Sequence, residues 1–224
     1  TDVEVINAQD GNDSIVASAG ADIIDGGANS DLVDYSDSST GINLTLLDSG
    51  ATVNVSHNIG GVASDSLTNI EGIKGSTTAS NTLIGNNMNN TLIGGNQTDT
   101  IKGVSGNNSL SGGAGDDTIF AGTGSDIIDG GAGNDDWLYY TDLASTNVSV
   151  NLRNNTATYG SSTDSITAIE HLKMGNGINT VQGNSYANSF IGGTGTDTLS
   201  YSEAASGVTV NVTSDGAGTS SGDG

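Results

Sequence analysis

Aspartates recur in this chain at a fixed phase. Asp13, Asp22 and Asp31 follow one another at nine residues, Asp99, Asp117, Asp126 and Asp135 follow one another at nine or eighteen, and Asp197 has the same surroundings near the end. Glycines precede most of them, and an apolar residue follows two positions later. Carboxylates repeated in this way, with turn carbonyls beside them and no cysteine or histidine in the repeat, suit one kind of chemistry. Oxygen-only donors select a hard cation, and a flexible cage of six or more oxygens favours calcium over magnesium.

The frame that carries them is G-G-x-G-x-D-x-(apolar)-x. It aligns in three blocks, Ala8 to Asp34, Ser76 to Leu138 and Met174 to Ser200. Position eight is Ile15, Ile24, Val33, Leu83, Leu92, Ile101, Leu110, Ile119, Ile128, Trp137, Val181, Phe190 and Leu199, apolar in every copy. Where position six is not aspartate it is asparagine: Asn81, Asn90, Asn108, Asn179 and Asn188. Glycines at positions one, two and four permit a tight turn, and the triplet around position eight makes a short strand with one inward side chain. Two units form one coil, so residues eighteen apart stack at about 4.8 Å, the spacing of neighbouring strands. The expected fold is all-β, a parallel β-roll or β-helix solenoid with eighteen residues per coil. In this register Asp117 lies beneath Asp135.

Stacked carboxylates about 5 Å apart repel by roughly 0.8 kcal/mol in water and by about 3 kcal/mol at an effective dielectric near 20. A divalent ion between the turns reverses that sign. Sorting the units by parity gives one edge with Asn81, Asp99, Asp117 and Asp135 and an opposite edge with Asn90, Asn108 and Asp126. Ions are expected on the first, while Asn90 over Asn108 forms an amide ladder that needs none. Asp13 with Asp31 makes another expected site, and Asp22 stands over Glu4. Asn179 with Asp197 is expected to hold little calcium.

Composition points the same way. The 224 residues carry a formal charge of −22, with 35 glycines, no proline, no cysteine and only 4 Lys plus Arg. Without a counter-charge such a chain reads as disordered. Lys74, Lys102, Arg153 and Lys173 are too few and scattered for a nucleic-acid face, and no apolar run is long enough to span a membrane. The start at Thr1, without methionine or signal peptide, is expected to mark a piece of a longer protein.

The units "GGAGDDTIF", "AGTGSDIID" and "GGAGNDDWL" resemble RTX (repeats-in-toxin) nonapeptides, over about half the chain. That family implies a calcium-binding parallel β-roll in proteins exported by type I secretion, hence a secreted or cell-surface location. It also implies ions held by backbone carbonyls and one aspartate from each flanking turn. Carried onto this sequence, the resemblance suggests Gly95, Gln97, Asp99, Gly112, Ala114 and Asp117 for one ion and Gly113, Gly115, Asp117, Gly130, Ala132 and Asp135 for the next. "GGNQTD" departs from the pattern by placing Gln97 where glycine is usual.

Between the blocks lie segments with their own repeat. Tyr35, Tyr140 and Tyr201 each precede a strand of alternating apolar residues and are read as buried, and "DSLTNIEGIKG" returns as "DSITAIEHLKM" after 99 residues. These read as wider coils of one continuous solenoid. The expected organisation is a first block at 1–34, a spacer at 35–75, the main block at 76–138, a second spacer at 139–173, a third block at 174–200 and a further spacer with a frayed end at 201–224. His57 and His171 are expected to be half-exposed strand residues. No constellation for catalysis is present, so the chain is read as a non-enzyme. The expected function is a calcium-dependently folding structural or export module of a secreted protein such as an adhesin. The alternatives are a repeating subunit of a calcium-stabilised filament or surface layer, whose partners are further copies of itself or neighbouring domains, and a non-catalytic module of a polysaccharide-active enzyme.

Overall fold

One inward residue between two outward ones makes a strand of three, and the described residues build twenty-two strands, most of them of this short kind. The structure, a computed structural model, describes residues 3–143 and 145–201. The expected frayed end therefore lies almost wholly outside the described residues.

Through most of the main block a strand pairs in parallel with the strand eighteen residues on. Leu92 sits against Leu110 and Leu110 against Ile128 on one side; Leu83 sits against Ile101 and Ile101 against Ile119 on the other. The result is a β-roll with an eleven-stranded sheet along one side and sheets of four and seven strands along the other. Between them runs a narrow core. Val33, Ile73, Leu92, Leu110 and Ile128 form one row, and Leu83, Ile101, Ile119, Leu138 and Leu172 the facing row, all at most 1% exposed. Each such side chain contributes about 1.5–3 kcal/mol by leaving water. Because most of the strands bury only a single apolar side chain, they are stable only as a stack.

The last unit of the main block corrects the expected register. Thr118 pairs with Trp137 and Ile119 with Leu138, a separation of nineteen. Leu138 is fully buried, whereas Trp137 lies on the outer face with its ring 4.9 Å from His171. In "DDWLYY" either Trp137 and Tyr139 or Leu138 and Tyr140 can point inward, and a core row built of leucine and isoleucine accepts the leucine. A one-residue slip flips every side chain of a strand to its other face.

The spacers differ from plain wider coils. Thr52–Asn58 and Val62–Thr68 form an antiparallel hairpin, and Thr156–Tyr159 with Ser162–Thr167 forms a second. The glycines at the two reversals, Gly60 and Gly160, have φ of 65° and 56°, a region that favours glycine. The returning strands rejoin the roll in parallel, Leu67 on Ile24 and Ile166 on Ile128. The first hairpin belongs to the four-stranded sheet and the second to the eleven-stranded one, so the two hairpins fall on opposite sides of the roll.

Candidate metal-binding ladders

Position six follows the turn and opens the next strand, so its backbone N–H points along the stacking axis. In every coil of the main block it donates to the side chain at the same position one coil on. Along one edge Asn81 donates to Oδ1 of Asp99 at 2.6 Å, Asp99 to Asp117 at 2.7 Å and Asp117 to Asp136 at 2.8 Å. Along the other, Asn90 donates to Asn108 and Asn108 to Asp126. The first block has the same links from Asp13 to Asp31 and from Glu4 to Asp22, and the third from Asn179 to Asp197.

That bond uses one carboxylate oxygen. The other, Oδ2, is buried and has no hydrogen-bond partner at Asp13, Asp31, Asp99, Asp117, Asp126 and Asp136. A buried acceptor left unpaired costs about 1–3 kcal/mol, and more when charged. Burial accordingly pushes Asp117 up to about 7, against backbone hydrogen bonding from Asp99 and with repulsion from Asp99 and Asp136 adding to the rise. Burial likewise pushes Asp126 up to about 6 and raises Asp31, Asp99 and Asp136.

The asparagine copies show what the second oxygen faces. Nδ2 of Asn108 donates to the carbonyls of Ser105 and Gly106, and Nδ2 of Asn179 to those of Gly175 and Gly177. The amide thus fills its own turn with hydrogens. An aspartate at that place brings an oxygen to other oxygens, an arrangement that a cation resolves and a neutral solvent-free turn does not. The residues therefore fit a hard divalent ion.

Two turn carbonyls, those of Gly112 and Gly130, lie close to the ladder carboxylates of Asp99 and Asp117. A side chain on Gly112 would collide at once with Oδ2 of Asp117 and the carbonyl of Gly130, and one on Gly94 with Oδ2 of Asp99 and the carbonyl of Gly112. Gly95 stacks on Gly113 and Ala114 on Ala132, and Gly115 lies against the backbone of Gln97. Gly113, with φ of 107°, adopts a conformation open to glycine that lets its turn close. Among the described residues no three His, Cys, Asp or Glu side chains cluster, so an ion between the turns would need oxygens from the backbone.

Two expectations change. Asp135, placed in the ladder by the sequence, is turned outward, where its Oδ1 accepts Nε2 of His171 at 2.7 Å and Nε1 of Trp137 at 3.0 Å; the nineteen-residue coil puts Asp136 in the ladder instead. His57 is buried rather than half-exposed, at 1%. Asp22 stands over Glu4 as read, yet its Oδ2 accepts the Ser18 hydroxyl at 3.0 Å. In the third block Oδ1 of Asp197 accepts both the N–H and the Nδ2 of Asn179.

Four ladder members are new. Asp22 donates its N–H to Asp65 and Asp126 donates to Asp164, while Asp31 and Asp136 donate to Oε2 of Glu71 and Glu170. The signal was the 99-residue repeat, in which Asp65 and Glu71 recur as Asp164 and Glu170.

Residues 1–34, 76–110, 102–136 and 175–203 match the family described as RTX calcium-binding nonapeptide repeat (4 copies). No curated protein matches the chain. Among the described residues no helix is long and apolar enough to cross a membrane.

Proposed function

Because the chain belongs to the RTX calcium-binding nonapeptide repeat family, we propose that calcium between stacked turns completes its fold, and that this segment is a calcium-dependent structural module of an exported protein. The observation that carries the reading is the row of buried Oδ2 atoms without donors at Asp99, Asp117 and Asp136. On this edge an ion is held by Asp99 and Asp117 with the carbonyls of Gly95, Gln97, Gly112 and Ala114. The next is held by Asp117 and Asp136 with those of Gly113, Gly115, Gly130 and Ala132, Asp136 replacing Asp135. Asp13 with Asp31 forms a further site, and Asp126 a weaker one beside Asn108. Asp22, whose Oδ2 already accepts the Ser18 hydroxyl, and Asp197, whose ladder partner is the asparagine Asn179, are the weakest candidates.

A chain of charge −22 that folds only with calcium stays extended where calcium is scarce and folds by mass action where it is plentiful. That property suits export from a cell and folding outside it. Circular dichroism during a calcium titration with chelator reversal tests the reading. Strand signal should grow with an affinity of order 10⁻⁴ to 10⁻³ M, as in extracellular modules, and magnesium should not replace calcium. A strand spectrum unchanged by exhaustive chelation at neutral pH and low salt would refute it.

The recurrence of the spacer after 99 residues favours a second reading, in which the segment is one stretch of a longer array in a filament or surface layer. Electron microscopy of purified chain with and without calcium distinguishes the two: ordered fibres support the array, and separate particles support the module.

A further inference from the structure

Asp65 and Asp164 occupy ladder positions, yet neither has a bare oxygen. Each is fully buried, and each accepts on Oδ1 the same backbone N–H that links all ladder members, from Asp22 at 2.8 Å and from Asp126 at 2.9 Å. Their second oxygens are taken. The Tyr35 hydroxyl donates to Oδ2 of Asp65 at 2.9 Å, and the Tyr140 hydroxyl donates to Oδ2 of Asp164 at 2.8 Å. A second ring completes each site: Nε2 of His57 lies 3.1 Å from Oδ1 of Asp65, and the Tyr159 hydroxyl 3.2 Å from Oδ1 of Asp164.

The place of the Tyr159 hydroxyl is the most telling. It lies 2.8 Å from the carbonyl of Gly124 and 3.4 Å from that of Gly122, positions four and two of the turn that ends in Asp126. It therefore stands among two turn carbonyls and the aspartate of the following coil, a set of oxygens of the kind an ion would take between two turns. The rings also fill the volume. Tyr35 packs 5.6 Å from His57 and Tyr140 packs 5.8 Å from Tyr159, centroid to centroid, and Tyr35 and Tyr140 are fully buried.

We infer that Tyr35 with His57, and Tyr140 with Tyr159, stand in for the ion at Asp65 and Asp164, closing these two ladder positions to calcium and ending one row at each spacer, that of Asp22 at the first and that of Asp126 at the second. A hydroxyl or ring N–H directed at a carboxylate offsets its charge in a buried site, as a cation would, without adding a net charge. Burial and the neighbouring carboxylates raise Tyr35, Tyr140 and Tyr159 far above the ordinary phenol range, so all three remain donors at any physiological pH. Both ring pairs come from corresponding places, one ring just after a nonapeptide block and the other from the first strand of a spacer hairpin. The inference rests on the calcium reading above and specifies where that reading stops.

Isothermal titration of the whole chain with calcium chloride tests it. Asp65→Asn and Asp164→Asn should bind as many calcium ions as the unaltered chain, whereas Asp117→Asn should bind fewer. Loss of an ion in either Asp65→Asn or Asp164→Asn would overturn the inference. If those variants do not fold, Tyr140→Phe and Tyr159→Phe decide. Each should keep the ion count and lower the thermal midpoint in saturating calcium by about 2 °C or more, the shift for one lost buried hydrogen bond in a chain of this size. A lower ion count in Tyr159→Phe, or unchanged midpoints in both, would overturn it. An unaltered chain that takes up no calcium would instead refute the calcium reading itself.

Discussion

At Asp117 one carboxylate oxygen accepts the N–H of Asp99 and the other meets no donor, while Asp99 and Asp136 press like charges from both sides. An ion on either side of Asp117 would share it. Asp197 differs, because Asn179 supplies it with an N–H and an amide. Asp117→Ala should therefore raise the calcium concentration at the folding midpoint by about tenfold, equivalent to ~1.4 kcal/mol, and Asp197→Ala by less than about twofold. A calcium titration of both variants by circular dichroism checks the order, and equal effects would count against a shared Asp117. The choice between aspartate and asparagine was visible in the sequence, and the structure explains its effect through which carbonyls the second side-chain atom faces. What the sequence could not show at this scale was the donor set of Asp65 and Asp164, because Tyr35 and Tyr140 lie 30 and 24 residues away from them.

Strands of three residues leave little local information about register. The frame predicted Trp137 inward, and competition for a narrow core selected Leu138. Leu138→Ala should destabilise the calcium-loaded chain by about 2–5 kcal/mol, the usual cost of emptying a buried leucine site, and Trp137→Ala by less than about 1 kcal/mol. Thermal or denaturant unfolding in excess calcium would measure both; a larger loss for Trp137→Ala would restore the eighteen-residue coil. The hairpins were missed for a related reason. Alternating apolar residues mark a strand with one buried face, and this pattern is the same in parallel and antiparallel pairs. Gly60-Gly61 and Gly160-Ser161 were the available turn signals, and tertiary contact with the coil beneath set the direction of return.

Over the whole molecule, buried carboxylates couple folding to protons as well as to calcium. Burial lifts Asp117 to about 7 and Asp126 to about 6 from an ordinary 3.8. In chelator the folded chain thus holds these protons more tightly than the unfolded chain. The stability they contribute is fully present below about pH 4 and is lost as pH rises through 6 and 7. In chelator the strand signal of the chain should fall between pH 4 and pH 7.5. With saturating calcium that fall should vanish or reverse, because the ion binds the ionised form. A strand signal in chelator that rises across this window would contradict the assignment of these groups as buried and unpaired. Composition, the nine-residue phase and the alternation of aspartate with asparagine determined the solenoid, its inward rows and the acidic edge, since a repeat that buries one residue per strand has few other ways to exclude water. Only the tertiary structure decided that Asp136 rather than Asp135 joins its ladder, and that the separate rows through Asp22 and Asp126 meet tyrosine hydroxyls at Asp65 and Asp164. Those outcomes depend on which side chain fits a core of fixed width and which distant donor reaches a buried oxygen, and neither is set by neighbours along the chain.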